Sequence, residues 1–257
     1  MTKYYFLGTA FPLLSLQVKS DLNYGELSRL MHWNLSPKDQ EIIAVFKTYI
    51  DLQNLKRLWL KQPLDPRGNL DERNLNEALL LKDGLPEVVF EFIEKFNSDP
   101  ARIKNFSYVL SRFFREEIRN PKSDFLKFYF EMERSIILIT AALRAKRLQR
   151  DLTEEFMYED QSGFLVKALL EQSTASRPEL EIDKMVIVDL FEQNCNDPKK
   201  LQRAFLEYRF QKISDEAEKK PFSIDQILGY LAGVMLIEDL FRLNAGAGKK
   251  ILDGLLR

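Results

Sequence analysis

The chain has 257 residues, with 38 Lys and Arg against 39 Asp and Glu, a formal net charge of −1. That balance excludes a protein built to coat nucleic acid, which carries a clear basic excess, and an apolar fraction of 45% excludes disorder. A single cysteine (Cys195) and a single histidine (His32) exclude an internal disulfide and the usual Cys/His zinc sites, and point to a reducing, cytoplasmic home.

Leucine (40) far outnumbers valine (9), so the composition predicts an all-α protein. The chain opens on Tyr4-Tyr5-Phe6-Leu7, which reads as a short buried strand or extended segment tucking the N-terminus onto the body. Gly8 and Pro12 interrupt the apolar run to Val18, and no small-x-small site comes after it, against a signal peptide. No uncharged run reaches the roughly 20 residues of a membrane span.

Four helix starts share one device: Ser36-Pro37, Asp99-Pro100, Asn120-Pro121 and Asp197-Pro198 each set a capping side chain before a proline. A fifth, Ser223 with Gln226, has the spacing of a capping box. Breaks fall at Pro63 to Gly68, Asp83-Gly84, Ser173 to Pro178 and Asn244 to Gly248. The signals predict helices over 37–61, 72–82, 86–96, 100–118, 122–150, 163–172, 182–194, 198–219 and 223–243.

On the first of these, Ile42, Ile43, Phe46, Tyr49, Ile50 and Leu60 form one apolar stripe, and Leu52, Leu55 and Trp59 a second. A helix with two apolar faces belongs inside a bundle. Asp51 and Asn54 lie between the stripes and read as structural, not catalytic. The helix over 198–219 has one stripe and an otherwise charged surface, so it is expected to face solvent.

The catalytic inventory is thin. His32, between Met31 and Trp33, reads as a packed structural histidine. The run Gly246-Ala247-Gly248-Lys249-Lys250 lacks the glycine and hydroxyl of a phosphate loop and comes after a helix, so it reads as a glycine stop. The acid pairs Glu116-Glu117, Glu154-Glu155 and Glu159-Asp160 are adjacent, and their members do not share a helix face. No catalytic, cofactor or metal residue is assigned, and the chain reads as a non-enzyme. Gly229 and Gly233, four apart on the helix opened by Ser223, predict a close contact within the protein's own bundle.

The segment Tyr49-Ile50-Asp51-Leu52-Gln53-Asn54-Leu55-Lys56-Arg57-Leu58 resembles the Asp-x-x-Asn-Leu-Lys-x-Leu helix of the C subunit of V-type (archaeal and bacterial A/V-type) ATP synthases. Leu75 to Leu81 and Gly84-Leu85-Pro86 are similar to the shorter Leu-rich helix, ending in Gly, that comes next in that family. Ala142 to Lys146 resembles the tail of a second copy, and Pro221-Phe222 with Ile227 to Leu231 and Arg242 a third. The opening Tyr4 to Leu7 with Phe11-Pro12-Leu13-Leu14 is similar to a compact bacterial branch of that family. The resemblance implies three pseudo-repeated helical subdomains, with spans of 1–98, 99–197 and 198–257. It further implies a non-catalytic part linking the central rotor stalk to the membrane rotor ring, in ATP-coupled proton or sodium transport. The partners would be the stalk and ring subunits, with peripheral association at the inner membrane and no nucleic acid. The competing expectation is a free-standing helical adaptor or scaffold that binds other proteins.

Overall fold

The computed structural model describes residues 3–175 and 177–255, with side chains as far as 243. The fold is all-α: 70% of it is helical, in thirteen helices, with no strand among the described residues. In chain order these are α1 (Tyr5–Ala10), α2 (Tyr24–Asn34), α3 (Pro37–Trp59), α4 (Glu72–Leu81), α5 (Glu87–Lys95), α6 (Asp99–Lys104) and α7 (Ser107–Arg119). Then come α8 (Asp124–Arg147), α9 (Leu152–Glu155), α10 (Phe164–Glu171), α11 (Ile182–Asn194), α12 (Pro198–Ala217) and α13 (Ile224–Leu255).

The chain divides into two compact units, one formed by residues 1–39, 123–128 and 186–257, the other by 40–122 and 129–185. The expected boundaries after residues 98 and 197 both fall inside these units.

The first unit is built on α13, whose residues from Ile224 to Ile237 are buried almost all round. Such a segment needs neighbours on every side. α12 is its principal one, and α1 and α2 also lie against it. The charged face expected of α12 is exposed, but the helix buries Leu206, Ile213 and Ala217 as well as Leu201 and Phe205. No helix among the described residues is long and apolar enough to cross a membrane.

The opening segment corrects the expected strand. Tyr5–Ala10 is helical, with the Gly8 N–H donating to the Tyr4 carbonyl at 2.9 Å. Tyr4 and Leu7, three apart, are buried, while Tyr5 and Phe6 between them are exposed, which is helical periodicity and not alternation. The tucking is real: the Tyr4 N–H donates to the Phe222 carbonyl at 2.7 Å, and its hydroxyl donates to the Asp39 carboxylate.

The second unit carries an aromatic core. Within it Tyr49 of α3 meets Phe113 and Phe114 of α7 at ring distances of 6.3 and 5.3 Å, and Phe130 of α8 at 6.0 Å. On the other face of α3, Trp59 packs on Phe92 of α5 at 5.8 Å. Both predicted stripes are therefore buried, with Leu60 the exception at the exposed helix end.

Capping works as expected at Ser36, whose Oγ accepts from the Asp39 N–H at 3.2 Å, and at Asp197, which accepts from Lys199 and Lys200. At the other two prolines the start moves. α6 opens at Asp99 after Ser98, and α8 waits for Ser123, whose Oγ accepts from Leu126 at 3.1 Å. Gln226 reaches back to the N–H of Phe222 at 2.6 Å, one residue before the expected box partner. The expected glycine stop is also corrected, because α13 runs through Asn244 to Gly248 as far as Leu255. Glycine costs a helix about 1 kcal/mol against alanine, which is not enough to end one by itself.

Candidate functional site

Three places gather polar or exposed side chains that the core does not explain. The first is the turn between α3 and α4 in the second unit. Asp51 and Asn54 sit three apart on α3 and so face the same way, towards this turn. Both are almost fully buried, at 1% and 0% exposure. The Asp51 carboxylate accepts from the backbone N–H of Asn69 at 2.9 Å and of Leu70 at 3.1 Å, and from the Asn69 side-chain amide at 2.9 Å. Asn54 makes a two-way pair with Asp65, donating Nδ2 to its carbonyl at 2.9 Å and accepting from its N–H at 2.8 Å.

Asp65 is in turn held by Arg67, whose Nε and Nη2 donate to its two oxygens at 2.8 and 2.6 Å. Gly68 closes the arrangement, because a Cβ there would stand 2.2 Å from Asp51 Oδ1. Burial raises the Asp51 carboxyl above its ordinary range, against the pull of the Leu70 and Asn69 donors and of Lys47. Burial also acts on Asp65, but there the Arg67 guanidinium outweighs it and the carboxyl is held below its ordinary range. Lys47 is lowered by burial, with Asp51 opposing. Both oxygens of Asp51 already accept hydrogen from the turn, so the group works as a clamp on that turn.

The second place is a surface cleft of about 610 Å³ in the same unit, lined by Lys146, Arg147, Arg150, Ser173 and Thr174 among others. α8 ends here in a left-handed residue, Gln149 at φ 52°, with the Arg150 N–H donating back to the Ala145 carbonyl at 2.9 Å. That is the usual way to satisfy terminal carbonyls, though glycine is the ordinary occupant. Lys61 after α3 and Lys82 after α4 take the same conformation, each at φ 54°. The Lys146 ammonium donates to the carbonyls of Gln172, at 3.1 Å, and of Ala175, tying the two walls together. Burial lowers its pKa.

The third place is on α2 in the first unit. Trp33 is 82% exposed. His32, expected to be packed, is exposed as well and meets Trp33 edge-on at 5.7 Å. The helix beneath is firmly started: Asn23 accepts from the Glu26 N–H and Glu26 accepts from the Asn23 N–H, both at 3.0 Å.

Gly229 and Gly233 lie in that unit too, but do different work. A Cβ on Gly229 would meet Ala217 Cβ of α12 at 2.4 Å and its Cα at 3.4 Å, so the absent side chain lets one helix backbone approach another. On Gly233 it would meet the tip of Leu14 at 2.7 Å. Among the described residues no three His, Cys, Asp or Glu side chains gather so as to hold a metal ion.

All 257 residues match one family, whose description is "Protein of unknown function (DUF2764)". The chain belongs to the DUF2764 family. Similar full-length proteins occur in Chlamydia. One from Chlamydia muridarum is 24% identical over 259 residues, covering 98% of this chain and 97% of its own. Relatives from Chlamydia trachomatis and Chlamydia pneumoniae are 22% and 25% identical at the same coverage. All three carry the name "Uncharacterized protein". No solved structure matches.

This membership corrects the resemblance to the C subunit of V-type ATP synthases, and with it the expected place in ATP synthesis, ion transport and a rotor. The DUF2764 match takes in the whole chain, the Tyr49 to Leu58 segment included. In this DUF2764 chain Asp51 and Asn54 answer to a local need of the turn they clamp, and Leu, Lys and Arg at helical spacing occur on any amphipathic helix. The stalk and ring partners rested on that resemblance alone.

The residues missed in the sequence are the receiving half of the clamp, Asp65, Arg67, Gly68 and Asn69, and the walls of the cleft. A signal existed for each. Asp65-Pro66-Arg67-Gly68 has opposite charges two apart inside a turn, and residues 135–150 carry four bases without a single acid.

Proposed function

We propose that this DUF2764 protein is a non-catalytic helical adaptor that binds another protein. The observation that carries the reading is Trp33, a large indole 82% exposed on a helix with both halves of a capping box in place. Single exposed apolar residues are ordinary on protein surfaces. Tryptophan is the exception in value: it is enriched among the few residues that dominate binding energy at interfaces, and burying it costs little entropy when its helix is already rigid. The buried polar cluster at the turn after α3 supports the same reading, since Asp51, Asn54 and Asp65 spend hydrogen bonds on their own chain.

The test is affinity capture from the native cell with the full-length protein and with Trp33→Ala, melting both in parallel. A partner held by the parent and lost from the variant, at unchanged melting temperature, is the expected result. Truncating a central anchor typically weakens binding by about 2 kcal/mol or more, roughly thirtyfold. A partner held equally by both proteins would remove Trp33 from the interface and take the reading with it.

A further inference from the structure

The cleft at the end of α8 combines features that the fold does not require. Between Arg134 and Asp151 the sequence contains no acid, yet it places Arg144, Lys146, Arg147 and Arg150 within seven residues. Cations at a helix C-terminus complement its dipole, and one or two in the last turn satisfy that need. Here the left-handed Gln149 turns the chain back, and Arg147 and Arg150, on either side of that reversal, both line the cleft and are both exposed.

The opposite wall is held in place from within. Lys146 donates to the carbonyls of Gln172 and Ala175, which fixes the segment bearing the Ser173 and Thr174 hydroxyls. The contact of Arg150 with Glu155 is an exposed pair at 3.3 Å, the arginine side chain being 63% exposed. Such pairs are weak and exchange readily for another carboxylate. Leu148, 60% exposed, lies in the chain between the lining residues Arg147 and Gln149, while Leu152 of the lining is buried and the lining acid, Asp151, accepts from the Thr153 N–H at 2.8 Å.

We infer that this cleft binds an acidic segment of a partner protein, its carboxylates on Arg147 and Arg150 and an apolar side chain on Leu148. The inference rests on the adaptor reading and supplies the chemistry of what is bound. Arginine favours carboxylates because its planar fork meets both oxygens at once. The charge is confined to one helix end in a chain of net charge −1, whereas a nucleic-acid backbone calls for an extended basic track. The adjacent leucine has no role with a free inorganic anion and a clear one with a peptide.

The test titrates the full-length protein into a short fluorescein-labelled peptide of Glu, Leu and Gly, read by anisotropy, against the same peptide with Gln for Glu. The Glu peptide is expected to bind about tenfold or more tightly than its Gln counterpart, and to weaken as salt screens the charges. The double variant Arg147→Glu/Arg150→Glu is expected to lose about tenfold or more at an unchanged melting temperature. Arg147→Gln/Arg150→Gln, which introduces no repulsion, is expected to fall between. Equal binding of the two peptides, or full affinity in the charge-reversed variant, overturns the inference. So does competition by inorganic phosphate or a short oligonucleotide at lower concentration than the unlabelled peptide, which reassigns the cleft to small anions or nucleic acid. The same titration on Trp33→Ala separates this inference from the reading beneath it. The cleft is expected to bind the peptide there as in the parent, even if no cellular partner depends on Trp33.

Discussion

Replacing Gly68 by alanine adds one methyl group to a half-buried turn, and the structure gives it a specific victim. The new Cβ would stand 2.2 Å from Asp51 Oδ1 and 3.2 Å from its Cγ, well inside contact distance. Asp51 cannot simply swing aside, because its oxygens accept from the Asn69 N–H, the Asn69 amide and the Leu70 N–H. Each bond to a charged acceptor contributes about 1.5–3 kcal/mol, so losing all three sets an upper bound of about 5–9 kcal/mol. Asn69 is exposed, however, and water replaces part of what its donors lose. A net loss of about 2–4 kcal/mol is expected, in the range of a broken buried polar network. Urea unfolding of the full chain would give the midpoint shift. Hydrogen exchange would place it, since the Asn69 and Leu70 amides should lose protection first. An unchanged midpoint with both amides still protected would mean that the turn tolerates a side chain, and the clamp would be wrong.

Gly229→Ala should lose about 1–2 kcal/mol, because overpacking against the Ala217 backbone outweighs a helix-propensity gain of about 1 kcal/mol. Gly233→Ala should be neutral or stabilising by up to about 1 kcal/mol, since only the mobile tip of Leu14 must yield. Thermal melts of the two variants moving in the same direction would refute this division. Arg67→Met should cost about 3–5 kcal/mol at neutral pH by leaving Asp65 buried without its cation. Arg67 holds the Asp65 pKa below its unfolded value, so the stability it lends is present above about pH 4 and lost as pH falls through the folded value. The deficit of Arg67→Met should therefore shrink in acid, and unfolding curves that keep the same gap at every pH would contradict the pairing.

How far the sequence carries depends on the range of the interaction involved. The two faces of α3 were legible because a helix writes its buried sides into residues three and four apart, and Tyr49, Phe46, Leu52 and Leu55 are all buried. Ser36 and Asp197 were legible for the same local reason. Asn120-Pro121 misled because Asn120 closes α7, and Ser123 supplied an equally good cap three residues on. The opening Tyr4 to Leu7 misled because four consecutive apolar residues carry no period, and burial of the first and fourth alone decided for helix. The clamp was half legible: two polar residues amid apolar stripes marked Asp51 and Asn54, but their partners lie 11 to 19 positions away across a turn. The cleft was legible on one wall only: residues 135–150 carry four bases and no acid, but Lys146 meets Gln172 and Ala175 only through the packing of the second unit.

The polar side chains of the clamp, the cleft and α2 fall into two populations with opposite physical consequences. Asp51, Asn54, Asp65 and Arg67 are buried, and those hydrogen bonds run to their own chain. Removing any one strands a desolvated partner, so the cost appears in folding. Arg147, Arg150 and Trp33 are exposed to water. Exposed side chains and exposed ion pairs contribute little to folding, so removing them changes it by a few tenths of a kcal/mol while erasing what a partner could grip. Melting temperature and binding should therefore respond to separate sets of substitutions. An Arg150→Glu chain that unfolds, or an Asn54→Ala chain that melts normally and loses only its partner, would break that separation and the adaptor reading built on it.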